Sequence, residues 1–128
     1  MIERKRTAIL ISGRGSNMAR LIDAAAERDF PAEIVAVISD KPDVQGLAIA
    51  RARSVPTHVV ERKDFASKEA HDAAIDAVLA AVHADIVCLA GYMRLLTPPV
   101  VERWRGRMIN IPPSLLPLFK GLDTHRRA

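Results

Sequence analysis

The chain has 128 residues, of which 49% are hydrophobic and only 4% aromatic; this composition excludes a disordered segment and predicts one domain with a core of Ala, Val, Ile and Leu. The net charge of +4 comes from basic residues scattered in mixed-sign runs, as at residues 3–6 and 61–64, so a solvated surface or attraction to a small anion is favoured over a nucleic-acid interface.

Cys88 is the only cysteine, which excludes a disulfide framework and a cysteine-based metal site within one chain. Charged residues open the sequence and the apolar run behind them is short, so we predict no signal peptide or membrane span and expect a cytoplasmic protein.

Short aliphatic runs alternate with amphipathic stretches along the chain. In order, we predict a strand over residues 7–12, a helix carried by Met18, Leu21, Ile22 and Ala25, a strand over residues 33–39, a helix over residues 46–54 and a weaker strand over residues 56–61. A long helix follows over residues 67–83, then a strand over residues 86–90, a helix that opens at Thr97 and Pro98 and runs through Trp104, and a strand over residues 108–111.

This alternation requires parallel strand pairing with right-handed crossovers. We therefore predict an α/β fold with a doubly wound, mostly parallel, Rossmann-like sheet. Ligands bind such sheets beyond the carboxyl ends of the strands. The segments after Ser12, Ser39, Ala90 and Ile111 are therefore expected at one edge.

The segment "SGRGSN" at residues 12–17 lies between the first predicted strand and the first predicted helix. Its two glycines let the backbone approach a ligand closely, and the N–H groups and dipole of a helix N-terminus attract anions. Ser16 and Asn17 add side-chain donors, which favours a phosphate monoester. The segment lacks the third glycine of a dinucleotide fingerprint and the lysine of a P-loop, and a tight turn with an ordinary helix cap stays the structural alternative.

Two further segments follow predicted strands at their carboxyl ends. The residues "GYMRLL" at 91–96 either pack in the core or form the wall of a pocket for a flat ring. Asn110 offers a carboxamide, a neutral donor of the kind that stabilises the oxyanion of an acyl-transfer intermediate by roughly 3–4 kcal/mol. Pro113 and Pro117 would hold the loop behind it rigid; the alternative is an ordinary asparagine in a turn.

The four histidines show no convincing metal-ligand spacing, so we predict no metal. His71 and His83 fall on or near the polar face of the long predicted helix and are expected in solvent. His58 lies in the third predicted strand. Only His125, close to the proline loop in sequence, is expected near the site.

Together these stretches resemble the phosphoribosylglycinamide formyltransferases, also called glycinamide ribonucleotide transformylases, within the folate-dependent formyltransferase superfamily. The resemblance covers essentially the whole chain and depends on "ILISGRGSNM" at residues 9–18, "LAGYMRLL" at residues 89–96 and "NIPPSLLPLFKGLDTHR" at residues 110–126. The last motif is specific for the superfamily, and the first separates this branch from relatives that act on tRNA or on formyltetrahydrofolate alone. The resemblance implies the formyltransferase fold, with residues 1–128 forming its N-terminal nucleotide-binding domain and the start of the catalytic loop region.

The resemblance also implies an activity and a site. Members of this family transfer a formyl group from 10-formyltetrahydrofolate, a cosubstrate, to the primary amine of glycinamide ribonucleotide in purine biosynthesis. By motif, Gly15, Ser16 and Asn17 would hold the substrate phosphate, and Asn110 would stabilise the oxyanion. Lys68 matches a basic position near the folate, whose pocket would be lined by Met93, Arg94, Leu95 and Leu96. The implied partners are small molecules, not nucleic acid or a membrane, and a homodimer is left open.

Two departures from the family pattern affect activity. The family loop reads Asn-Ile-His-Pro-Ser and its histidine is the general acid–base group, whereas this chain has Pro112 there. The family's catalytic aspartate belongs to a C-terminal segment of several dozen residues, so the C-terminal part is expected to be missing. Loss of a general acid–base group typically costs about 10²–10⁴ in rate, so we expect the chain to be catalytically impaired.

Two alternatives to this enzyme remain open. One is another 10-formyltetrahydrofolate-handling enzyme, a deformylase (hydrolase), against which the phosphate loop argues. The other is a non-catalytic phosphate- or nucleotide-binding module, which Pro112 favours.

Overall fold

The computed structural model describes residues 4–111, in which five strands and four helices alternate. The strands are β1 (Lys5–Ile11), β2 (Ala32–Ser39), β3 (Thr57–Val59), β4 (Ile86–Leu89) and β5 (Met108–Asn110), and the helices are α1 (Ser16–Ala25), α2 (Gln45–Ala52), α3 (Lys68–Ala81) and α4 (Pro98–Arg103). A 3₁₀ turn, Arg62–Asp64, precedes α3. None of these helices is long and apolar enough to cross a bilayer.

All five strands pair in parallel, in the order β3-β2-β1-β4-β5 across the sheet. The chain moves outward from β1 through β2 to β3, then crosses back to place β4 and β5 on the other side of β1. Strand order therefore reverses between β1 and β4, and the crevice at their carboxyl ends is where open α/β sheets bind ligands. The predicted doubly wound parallel sheet is confirmed.

Both faces of the sheet are covered by helices, and β1 contributes to both layers. Ile9 and Ile11 pack in the layer that contains α1 and α2, whereas Ala8 and Leu10 pack in the layer that contains α3 and α4. All four side chains are fully buried. Burial of each Ile or Leu stabilises the fold by roughly 1.5–3 kcal/mol, which explains why residues 8–11 of β1 form an uninterrupted aliphatic run.

Cys88 lies in β4, in the layer that contains α1 and α2. It is 5% exposed, and burial raises the pKa of its thiol to about 11. Cys88 is thus a small buried side chain of the core.

Element boundaries differ from the predictions by a few residues. The long helix begins one residue later than predicted because Ser67 is its N-cap and accepts the N–H of Ala70 at 3.0 Å. β3 keeps only part of the predicted residues 56–61, since its ladder with β2 covers residues 57–59. The predicted opening of α4 is confirmed: Thr97 is its N-cap and Pro98 stands in its first turn.

His71 is buried, so its expected place in solvent was wrong. The side chain is 0% exposed, and its Nε2 donates to the carbonyl of Val60 at 2.7 Å. The neighbouring Asp72 is also buried, and its carboxylate accepts the N–H of Thr97 at 2.5 Å. Buried polar groups are tolerated when they are hydrogen-bonded, and these contacts tie the inward face of α3 to the segments around it.

Candidate functional site

The loop between β1 and α1 presents backbone to the sheet edge. Gly15 has φ +76°, in the left-handed region where glycine is unstrained, and it is the N-cap of α1. No side chain of the described residues caps this helix, so its first-turn N–H groups are free to bind an anion. The loop therefore has the backbone geometry that the sequence predicted for a phosphate.

The same loop is packed tightly against the start of α2. The N–H of Gly46 donates to the carbonyl of Gly13 at 3.1 Å, and a Cβ on Gly15 would lie 2.6 Å from the Cα of Gly46. A Cβ on Gly46 would lie 2.5 Å from Cδ1 of Ile11. Gly15 and Gly46 are thus required for packing. Gly13, whose Cβ position has no described atom within 4 Å, is where a ligand can approach the backbone.

A cavity of about 380 Å³, here called the loop cavity, opens at this loop. It brings together Gly15, Ser16 and Asn17, the three residues predicted to hold a phosphate. Arg14 and Lys41 add two cations, and neither forms an ion pair within residues 4–111. The full lining is Ser12, Gly13, Arg14, Gly15, Ser16, Asn17, Lys41, Ala90, Gly91 and Met93. Positive charge and free N–H groups together favour an anionic ligand.

A second cavity of about 330 Å³, here called the cationic cavity, lies between the start of α3 and the segment after β4. Its lining is Arg62, Lys68, His71, Asp72, Met93, Arg94 and Leu95. Three of these residues are cations and one is a carboxylate. Met93 and Leu95 add apolar surface, being 77% and 81% exposed. Such a mixture suits a ligand that joins a ring to an anionic group.

Four of the five residues predicted for the folate pocket line the cationic cavity, namely Lys68, Met93, Arg94 and Leu95. The fifth, Leu96, is partly buried and packs in the layer that contains α3 and α4. The sequence had left open whether residues 91–96 form core or a pocket wall; the segment does both.

Met93 lines both cavities, and two contacts hold its segment in place. Its N–H donates to Oγ of Ser12 at 2.9 Å. Beside it, Nε of Arg94 donates to Oδ2 of Asp40 at 2.7 Å. Asp40 follows β2 and Arg94 follows β4, so this ion pair spans the width of β1. We call these four residues the shared wall.

Tyr92 lies next to the shared wall in a buried environment. Burial raises the pKa of its phenol, and the negative charges of Asp40 and Asp72 raise it further. The hydroxyl is buried and has no hydrogen-bond partner among residues 4–111. Tyr92 is therefore a neutral phenol at physiological pH and does not serve as a base.

Asn110 lies at the same sheet edge as the loop cavity. The ladders place it level with Leu89 of β4, and Leu89 is level with Leu10 of β1. Its side chain is exposed, so the amide is open to a ligand. Pro112, Pro113, Pro117 and His125 lie outside the described residues.

Within residues 4–111, no group of three or more His, Cys, Asp or Glu side chains is arranged to hold a metal ion. His58 lies in β3, and His83 is exposed just beyond α3. Of the three histidines that the structure describes, His71 is the one that lines either of these two cavities.

Comparison with known proteins places these features in a family. The family model described as formyl transferase matches residues 5–128. Over 127 residues the chain is 49% identical to the trifunctional purine biosynthetic protein adenosine-3 of Drosophila melanogaster, covering 98% of this chain and 9% of that protein. Over 124 residues it is 44% identical to phosphoribosylglycinamide formyltransferase of Haemophilus influenzae, covering 97% of this chain and 58% of that protein.

A solved structure resembles the chain over the same range. The crystal structure of phosphoribosylglycinamide formyltransferase from Brucella melitensis is 59% identical with a TM-score of 0.85, covering 98% of this chain and 66% of that one. The chain thus spans less than two thirds of the length of these relatives. The family match includes the loop, both cavities and Asn110, and the chain belongs to the formyl transferase family.

Proposed function

We propose that the protein containing this chain transfers the formyl group of 10-formyltetrahydrofolate to the primary amine of glycinamide ribonucleotide, a step of purine biosynthesis in the cytoplasm. The bacterial relative is named phosphoribosylglycinamide formyltransferase, a name that gives the formyl transfer and its acceptor. In this proposal the chain supplies the N-terminal nucleotide-binding domain and the start of the catalytic loop.

The observation that carries the proposal is the position of Met93 between two cavities of different character. The loop cavity suits the phosphate of the ribonucleotide, which Gly15, Ser16 and Asn17 would hold. The cationic cavity suits part of the folate. Group transfer needs the reacting atoms about 3–3.5 Å apart, and two cavities that share one lining side chain would place their ligands next to each other.

Asn110 would act on the charge that develops during transfer. The amine nitrogen attacks the formyl carbon, and the carbonyl oxygen becomes an oxyanion before the bond to the folate N10 breaks. The carboxamide would donate to this oxyanion, an interaction whose removal costs about 10²–10³ in kcat in a well-studied enzyme. A carboxamide cannot move the proton from the amine to N10, so Asn110 acts by charge stabilisation alone.

Pro112 weakens the catalytic part of the proposal and favours a second function. It stands where the family resemblance has a histidine, and proline has neither a titratable group nor an N–H. We expect this difference to slow turnover by about 10²–10⁴. A non-catalytic module that binds a phosphate-bearing nucleotide is the function that would remain.

The full-length protein that carries this chain allows a direct test. Formyl transfer is measured for the parent, for Pro112→His, and for Pro113→His as a control that places an imidazole one residue away. We expect Pro112→His alone to gain turnover. Formate release without formylated ribonucleotide would indicate a deformylase, and saturable ribonucleotide binding without turnover in any variant would indicate the module.

A further inference from the structure

Asp40 is a buried carboxylate that depends on one partner. Its side chain is 1% exposed, and Oδ2 accepts from Nε of Arg94 at 2.7 Å. Its other oxygen, Oδ1, is buried and unpartnered within the described chain. Burying a carboxylate is strongly unfavourable unless the charge is paired, and the Arg94 guanidinium is the partner that pairs it here.

Arg94 makes this ion pair with one of its five N–H donors. The other four, on the two terminal nitrogens, make no hydrogen bond inside residues 4–111. The side chain is 40% exposed and lines the cationic cavity beside Arg62 and Lys68. The outer edge of a guanidinium matches a carboxylate or phosphate with two parallel hydrogen bonds. Asp40 therefore occupies the inner donor and leaves the outer edge for a ligand.

Asp40 belongs to a segment that is itself well held. Its N–H donates to the carbonyl of Ile11 at 3.4 Å. Around it, Oγ of Ser39 accepts the N–H of Lys41 at 3.0 Å and donates to the Lys41 carbonyl at 2.6 Å. Arg94, in contrast, has a long side chain whose rotamers must be restricted before it can bind anything. A fixed carboxylate that restricts them in advance lowers the entropic cost of ligand binding.

We propose that Asp40 is a positioning residue, which holds the Arg94 guanidinium on the shared wall with its outer N–H groups facing an anionic group of the folate cosubstrate. This inference rests on the proposed function and assigns Asp40 no contact with either ligand. When the Asp40 charge is removed, the Arg94 side chain is still present but is free to sample other rotamers. Affinity for the charged cosubstrate then falls, whereas affinity for the phosphate-bearing substrate does not.

The test uses Asp40→Asn in the full-length protein, because asparagine keeps the size and an acceptor but removes the charge. Asp43→Asn is the matched control, since Asp43 is exposed just beyond Lys41 and its φ of +56° is one that asparagine tolerates. Calorimetry measures binding of folate, of a folate analogue with both glutamate carboxylates amidated, and of ribose 5-phosphate. We expect Asp40→Asn to weaken folate binding about two- to fivefold, the range expected for a partly exposed ion pair. Binding of the amide analogue and of ribose 5-phosphate should not change.

A double-variant cycle shows whether Asp40 acts through Arg94. Arg94→Gln should weaken folate binding, and adding Asp40→Asn to it should weaken binding no further. Independent, additive losses overturn the proposal, as does equal weakening of folate and its amide analogue, which indicates a merely structural role. Should Asp40→Asn not fold, Asp40→Glu keeps the charge but displaces it by one methylene, and the same selective loss of folate binding is expected.

Failure of the inference and failure of the proposed function are separate outcomes. A parent protein that binds neither folate nor its amide analogue contradicts the proposed function. A parent that binds folate, with Asp40→Asn binding it equally well, contradicts only the role of Asp40.

Discussion

Gly15→Ala tests whether the loop cavity depends on backbone geometry. Two penalties act together at this position. Its φ of +76° costs an L-residue about 1–2 kcal/mol, and the added Cβ would lie 2.6 Å from the Cα of Gly46. Because the clash is with backbone, relief requires a shift of the loop or of α2, and such overpacking costs about 1–3 kcal/mol.

Gly106→Ala is the control because it carries the first penalty without the second. Gly106 has φ +77°, and in the described part of the chain no atom lies within 4 Å of its Cβ position. We therefore expect Gly106→Ala to lower the free energy of unfolding by about 1–2 kcal/mol. Gly15→Ala should lower it by about 2–5 kcal/mol.

Urea unfolding measures both values, and calorimetry with ribose 5-phosphate and folate measures the functional effect. Gly15→Ala should weaken ribose 5-phosphate binding by about tenfold or more and leave folate binding nearly unchanged, and Gly106→Ala should affect neither ligand. Equal destabilisation by the two variants would refute the packing explanation. Equal loss of both ligands in Gly15→Ala would refute the assignment of this loop to the phosphate.

Three further predictions concern turnover, pH and packing. In the full-length protein, Pro112→His should raise the rate of formyl transfer by about 10²–10⁴, and an unchanged rate would show that the histidine alone is not what is missing. The Cys88 thiol has its pKa raised from 9.0 to about 11 by burial, so the stability it contributes is complete below pH 9 and is lost as the pH rises through 11. Unfolding curves should show this loss of about 2–3 kcal/mol, and Cys88→Ala should lack it. Asp76 accepts Nε1–H of the buried Trp104 at 2.8 Å. Asp76→Ala should lower the free energy of unfolding in urea by about 1–3 kcal/mol, and Asp76→Asn should lower it less. Equal losses in the two variants would contradict a role for the hydrogen bond.

Local pattern was sufficient to predict the architecture and much of the candidate site. Aliphatic runs separated by amphipathic stretches predicted the parallel sheet, because each unit is long enough for a crossover helix. The rule that ligands bind at the carboxyl ends of strands then selected the segments after β1 and β4. The structure places residues from both segments at the two cavities.

The parts that could not be predicted depend on partners distant in sequence. Asp40 directly follows β2, so the strand-end rule applied to it, yet an acidic residue in a turn usually lies in solvent. Its burial depends on Arg94, which is 54 positions away. His71 was assigned to the polar face of the long helix, although it lies at four-residue intervals from the buried Ile75 and Leu79. Its hydrogen bond to the carbonyl of Val60, which the helix spacing does not reveal, makes that burial acceptable.

Gly46 gave a signal that could have been used. Gly46 stands in the first turn of α2, and a glycine within a helical pattern often has a packing or functional reason. The structure identifies that reason as the contact with Gly15.

The place of Met93 has a consequence for redesign of this scaffold. Its side chain faces two compartments while its amide is anchored to a serine at the tip of a neighbouring strand. A substitution of Met93 that enlarges one cavity also changes the shape of the other. New specificities for the two ligands would therefore have to be selected together and not one after the other.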